Sequence, residues 1–270
     1  ADNACGAVGA GIVESDRAMI SLGTSGVMLA YLDKPKLPNG GTIHMFNHAV
    51  KDKFYMMGVI LSAGLSYRWF RDNFGQMEKI VAAEIGSDAY TLLTAAAAKS
   101  SPGSQGLIFL PYISGERTPH GDGNARGAFF GLSASHNRQD MIRSILEGVG
   151  FAFRDSLTLL QQAGWSGQSV RCIGGGAKAK LWREIIASIL RVQVQTLNND
   201  EGPGLGAALL AGVGTNIYSD LKEASESLIK VVSTVEPNEE WINIYQEIYQ
   251  VYKSLYPALK PMYDQMVKLC

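Results

Sequence analysis

Val170-Arg171-Cys172-Ile173-Gly174-Gly175-Gly176, followed by Leu181–Leu190 and then Val192–Thr196, is the stretch on which the fold turns. An apolar run of strand length stops at three glycines, and the residues beyond repeat apolar positions at helical spacing. A strand, a glycine turn, a helix and a second strand form the unit from which sheets covered by helices are built. The same alternation extends on both sides. Upstream, Arg138–Ala163 places apolar residues at 141, 145, 149, 153, 157 and 160, a helical period that ends at Gly164. Downstream, a Gly/Pro break at 202–206 precedes a helix over Ala207–Gly212.

Towards the N-terminus the small residues of 2–13 predict a closely packed helix, with Asp2 or Asn3 as its cap. Ala18–Leu22 and Val27–Leu32 flank Gly23-Thr24-Ser25-Gly26 and predict a β-hairpin. Strands are expected over 43–50 and 53–61, joined at Lys51-Asp52, then a helix from Ser62 to Phe74 that ends at Gly75. Glu78–Lys99, with its alanine run, predicts one helix. Gly106–Tyr112 and Ala128–Leu132 predict strands around a polar loop at 113–127. From about 238, Trp241, Ile244, Ile248, Tyr252 and Leu255 share a helical face; an amphipathic helix is expected to lie across the domain, kinked or stopped at Pro257. The whole chain, 1–270, reads as one α/β domain.

Composition narrows the function. With 24 basic and 25 acidic residues the chain lacks the basic face a nucleic-acid binder needs. Hydrophobic residues make up 46%, too many for a disordered chain. Cys5, Cys172 and Cys270 form neither a disulfide framework nor a zinc motif, so a reducing, cytoplasmic setting is expected. No apolar run reaches the roughly 18 residues of a membrane span, and no leader pattern is visible. His44 and His48 stand four apart in a strand-like stretch, where that spacing does not converge on a metal. Nucleophile elbows and P-loops are missing as well.

Glycine is the excess residue, at 30 of 270 against an average of about 7%. Gly23-Thr24-Ser25-Gly26 in a tight hairpin would aim backbone N–H groups and hydroxyls at one point, as in a phosphate nest. Gly174-Gly175-Gly176 would let a flat ligand approach the backbone with no Cβ between them. Either alone is more often just a turn. Together they resemble a nucleotide site split over two loops. Asp2 could be a helix cap or a general base, and spacing leaves both readings open.

Several stretches resemble the FGGY family of carbohydrate kinases. Gly127-Ala128-Phe129-Phe130-Gly131-Leu132, then seven residues to Asp140-Met141-Ile142-Arg143-Ser144-Ile145-Leu146-Glu147, is similar to the family's second signature. Tyr112-Ile113-Ser114-Gly115-Glu116-Arg117-Thr118-Pro119-His120 resembles a segment typical of its xylulose-phosphorylating members. Ile173–Ala177 followed by Trp182, and Glu201-Gly202-Pro203-Gly204-Leu205-Gly206-Ala207-Ala208, point the same way. The resemblance implies an actin-like, ribonuclease H-like ATPase domain, a mixed sheet flanked by helices, that uses ATP and Mg²⁺ to phosphorylate a sugar, xylulose fitting best.

The resemblance also implies roles. Asp2 would take the proton from the sugar's terminal hydroxyl, and Asn3 would touch the sugar. Gly23, Thr24 and Ser25 match the loop that cradles the ATP phosphates. Gly64 and Arg68 match a glycine–glutamine pair that contacts nucleotide in glycerol kinases, with arginine replacing the glutamine. Gly175, Gly176, Ala177 and Lys180 match the adenosine-side loop. Ala179, Gly204 and Gly123 depart from the serine, alanine and proline common at these places. The chain is then expected to be the C-terminal, nucleotide-binding half of the enzyme. The sugar-binding N-terminal domain of the same enzyme would be missing, and a homodimer is left open. Alone, it would bind ATP weakly, if at all, and phosphorylate little sugar. A sibling kinase for glycerol, gluconate or ribulose, and an ATP-sensing module without catalysis, are the alternative readings.

Overall fold

The hairpin around Gly23 sits in the middle of a seven-stranded mixed sheet. In the computed structural model, which describes residues 2–34, 36–200 and 202–269, β1 (Ala18–Leu22) pairs antiparallel with β2 (Gly26–Leu32). Its last pair, Leu22 opposite Gly26, leaves three residues to turn the chain. β2 continues antiparallel to β4 (Phe54–Ile60), and β4 to the edge strand β3 (His44–Asn47). On the other side β1 runs parallel to β7 (Ser169–Ile173), β7 parallel to β8 (Gln193–Leu197), and β9 (Val231–Val235) closes the edge antiparallel. A two-stranded sheet of β5 (Ile108–Leu110) and β6 (Ala128–Phe130) lies apart.

Alternation along the strands splits the apolar side chains between two cores. Ile20, Leu22, Met28, Ala30, Met56 and Ile60 pack with α2 (Ala63–Phe74), α5 (Arg138–Gln162), α6 (Lys180–Leu190) and α9 (Glu239–Met266). Met19, Leu29, Tyr31, Tyr55, Met57 and Val59 pack with α1 (Asp2–Gly9), α7 (Gly202–Gly214) and α8 (Leu221–Leu228). α1 and α7 touch backbone to backbone. A Cβ on Gly206 would lie 1.8 Å from the Cys5 carbonyl oxygen, and one on Gly9 would lie 1.8 Å from that of Gly202.

The second-signature residues prove to be structural. Arg143 donates through Nε to Glu147 at 2.7 Å, and both are buried. Glu147 also accepts from the Gly103 N–H and the Ser104 and Tyr245 hydroxyls, and Arg143 reaches the Ser100 carbonyl and Tyr245. One buried ion pair thus ties the loop before β5 to α9. Asp140 completes a capping box with Asn137 at the head of α5.

Several expectations are corrected. Residues 78–99 form two helices, α3 (Gln76–Ile85) and α4 (Ala89–Ala97), because Gly86 adopts φ 65° and Asp88 caps Tyr90. The expected break at 202–206 is the first turn of α7, where Pro203 loses no intrahelical hydrogen bond and Gly202 and Gly206 face α1. Glu201 lies outside the described residues. α8 and β9 had no counterpart in the sequence reading. α9 runs on through Pro257 and Pro261, both exposed, because Tyr252, Leu255 and Tyr263 are buried around them. Its buried face is turned by about one residue, to Tyr245 and Tyr249, while Ile244 is exposed. Among the described residues no helix is long and apolar enough to cross a membrane.

Gly206→Ala should lower stability in urea unfolding by about 1–3 kcal/mol, the range for overpacking. Gly214→Ala, with no atom within 4 Å of the added Cβ, should change it by less than about 0.5 kcal/mol.

Candidate functional site

A cleft of about 660 Å³ opens where three backbone segments meet. The first is the β1–β2 turn, with Gly23 and Thr24. The second is the start of α2, which abuts that turn: the Gly64 N–H donates to the Gly23 carbonyl and the Leu65 N–H to the Thr24 carbonyl, each at 2.9 Å. A Cβ on Gly64 would stand 2.4 Å from the Gly23 oxygen, so only glycine allows this approach. The third is the glycine turn after β7. Gly174 takes φ 89° against Leu22, Gly175 has no atom within 4 Å of where a Cβ would be, and Gly176 lies under the Leu22 and Trp182 side chains.

Side chains finish the walls. Tyr67 packs edge-on to Trp182 with centroids 5.5 Å apart and tilts against Tyr90 at 5.1 Å; its hydroxyl lies 3.0 Å from the Thr94 hydroxyl. Burial raises the Tyr67 phenol well above its ordinary pKa, so it stays neutral. Trp182 is fixed by its Nε1–H donating to the Leu146 carbonyl at 3.1 Å. Arg68 is exposed on α2, and Lys178 lies in the glycine turn with Nζ 3.9 Å from Asp200. Exposed glycine backbone, hydroxyl groups, two cations and an aromatic wall suit a ligand with a flat ring at one end and anionic groups at the other.

The structure gathers Gly23, Thr24, Gly64, Arg68, Gly175 and Gly176 around this cleft. It leaves the other expected residues outside the lining. Ser25 is exposed on the turn, Ala177 is buried beneath the glycine turn, and Lys180 begins α6 with Nζ 3.3 Å from Glu184. Asp2 and Asn3 head α1 on the other layer. The exposed Asp2 carboxylate accepts the Asn3 N–H at 2.8 Å, and its charge adds to the burial that raises the Tyr55 phenol. Sequence reasoning missed Tyr67, Asp88, Tyr90, Thr91 and Thr94 as lining residues. Tyr67 could have been found one turn after Gly64; the others depend on the break at Gly86-Ser87-Asp88, whose capping aspartate was the available signal.

Comparison with known proteins gives the family. Residues 18–215 match the C-terminal domain of the FGGY family of carbohydrate kinases. A xylulose kinase of Staphylococcus epidermidis is 39% identical over 250 residues, covering 93% of this chain and 48% of its own. The structure of a ligand-bound xylulose kinase from Lactobacillus acidophilus superposes with a TM-score of 0.87 at 26% identity, covering 97% of this chain and 51% of that one. A gluconate kinase from the same organism gives 0.86 at 26%, with the same coverage. The chain spans about half the length of the curated relatives it matches. The mixed sheet flanked by helices is the actin-like ATPase architecture expected from the motifs.

Gly64→Ala should separate α2 from the β1–β2 turn and lower stability by about 1–3 kcal/mol. Gly175→Ala, which meets open space, should stay within about 0.5 kcal/mol of wild type in the same urea titration.

Proposed function

The chain belongs to the FGGY family of carbohydrate kinases, and we propose that it is the nucleotide-binding half of an ATP-dependent pentulose kinase, with xylulose as the first substrate to test. One observation carries this reading: the Gly23–Thr24 turn, the Gly64–Arg68 turn of helix and the Gly175–Gly176 turn line a single cleft. In this reading Gly23, Thr24 and Ser25 hold the nucleotide phosphates through backbone N–H groups and hydroxyls, and Arg68 adds charge. Gly175 and Gly176 give the adenosine a floor without side chains, with Ala177 and Lys180 behind it. Tyr67 and Trp182 wall the base.

Phosphoryl transfer asks for in-line positioning and charge stabilisation more than covalent help from the protein. Asp2 is assigned the base that accepts the proton of the attacking sugar hydroxyl, and Asn3 a sugar contact. Because neither lines the cleft, the sugar would bridge from α1 to the phosphate turn, with a second, sugar-binding domain closing over Asp2. Mg²⁺, if bound with the nucleotide, would neutralise phosphate charge. Among the described residues no three His, Cys, Asp or Glu side chains converge to hold a metal. The likeness to a gluconate kinase supports a sibling substrate as the second reading.

In the intact enzyme Asp2→Asn should lower kcat by about 10²–10⁴, the usual reach of general-base catalysis, with KM for ATP little changed. Equal loss of turnover and nucleotide affinity would assign Asp2 a structural role. Assayed alone, the chain should bind ATP weakly and phosphorylate little or no xylulose; robust turnover would contradict the half-site. A panel of xylulose, ribulose, gluconate and glycerol separates the two substrate readings.

A further inference from the structure

Segment 114–118, Ser114-Gly115-Glu116-Arg117-Thr118, is no part of the cleft wall, yet it is bonded to the strand-to-helix junction that carries Gly64. The edge strand β3 covers β4 only as far as Met57, opposite His44. Beyond it, the segment takes over the bare edge. The Thr118 N–H donates to the Val59 carbonyl at 3.0 Å, and the Val59 N–H donates to Thr118 Oγ1 at 3.0 Å. The Leu61 N–H donates to Glu116 Oε1 at 3.2 Å, and the Ser114 N–H to Ser62 Oγ at 3.1 Å. Ser62 precedes α2 but caps none of its N–H groups with its side chain. The start of α2 is therefore held from one side by this segment and from the other by the Gly23–Thr24 turn.

Glu116 is the costly member. It is 1% exposed, its backbone pairs in both directions with Asp122 at 2.8 Å, and Oε1 also takes the Arg117 N–H at 2.7 Å. Among the described residues Oε2 is buried with no hydrogen-bond partner. A leucine or a glutamine would fill such a place with less desolvation. The unsatisfied oxygen sits on a contact whose other end is the cleft.

We propose that Glu116 is a positioning residue of the nucleotide cleft: by holding the Leu61 N–H it sets where α2 begins, and so keeps Gly64 and Arg68 in register with the Gly23–Thr24 turn. This rests on the nucleotide reading above. Burial pushes the Glu116 carboxyl up to about 8, the Asp155 charge from α5 adds to the rise, and the Arg117 and Leu61 N–H groups and the Arg117 charge oppose it. At neutral pH the carboxyl keeps its proton, so Glu116→Gln reproduces the neutral acceptor while Glu116→Leu removes it. The folded pKa lies above the carboxyl's ordinary 4.5. Stability from this group is therefore full below 4.5 and is lost as pH rises towards 8.

The test compares wild type, Glu116→Gln and Glu116→Leu by ATP calorimetry and by amide hydrogen exchange of Leu61, Gly64 and Leu65. Glu116→Gln should bind ATP within about twofold of wild type, and Glu116→Leu at least about tenfold more weakly. Glu116→Leu should also exchange the three amides at least about tenfold faster, with those of β7 unchanged. A folded Glu116→Leu with wild-type affinity and exchange overturns the proposal. If wild type binds no ATP, the nucleotide reading fails and the exchange comparison still decides the positioning. Should Glu116→Leu not fold, Glu116→Met, of similar volume and likewise without an oxygen for the Leu61 N–H, replaces it. It should show the same weaker ATP binding and faster exchange; wild-type values for both overturn the proposal.

Discussion

The start of α2 lies against the β1–β2 turn at a distance that no side chain on residue 64 would permit. Two backbone hydrogen bonds, from Gly64 to Gly23 and from Leu65 to Thr24, close that contact. Everything that forms the cleft is measured from it. The turn is fixed because β1 and β2 pair up to Leu22 and Gly26, leaving three residues to reverse the chain. The third wall leans on the same strand end, since Gly174 and Gly176 both lie against Leu22. A small displacement of α2 would move Arg68 and Tyr67 together with respect to both glycine turns.

The two layers of helices do different work around this centre. On one side the long α5, braced by the buried Arg143–Glu147 pair and the tyrosine face of α9, supplies a rigid support for α2, α4 and α6. On the other side α1 and α7 approach through glycines, so that α1, with Asp2 at its head, is fixed to the sheet by contact with α7. In the proposed reading the first layer would cradle the nucleotide and the second would present the Asp2 carboxylate to the acceptor.

Much of this was legible in the residues. The strand–glycine–helix unit at 170–190, the hairpin at 18–32 and the stop at Gly75 appear where their spacing places them, because each is set by local chemistry: apolar period, turn residues and helix ends. What escaped depends on tertiary contact. Gly202-Pro203-Gly204 reads as a break until a second glycine-bearing helix is laid against it. The alanine run at 95–98 hid the stop at Gly86, and the edge strand β9, half exposed, has too weak a period to be seen. The polar stretch 113–127 reads as a solvated loop because nothing local shows that Glu116, Thr118 and Asp122 are buried. The aromatic wall was missed for the same reason, since Tyr67, Tyr90 and Trp182 meet only after three helices are packed.

The central claim is that these three glycine-bearing segments receive one nucleotide. Backbone amide shifts recorded while ATP is added to the chain test it most directly, since weak binding still moves resonances. The account predicts perturbations concentrated at Gly23, Thr24, Gly64, Arg68, Gly175 and Gly176, with the amides of α7, α8 and β9 silent. Shifts clustered on another surface, or none at millimolar ATP, would contradict it.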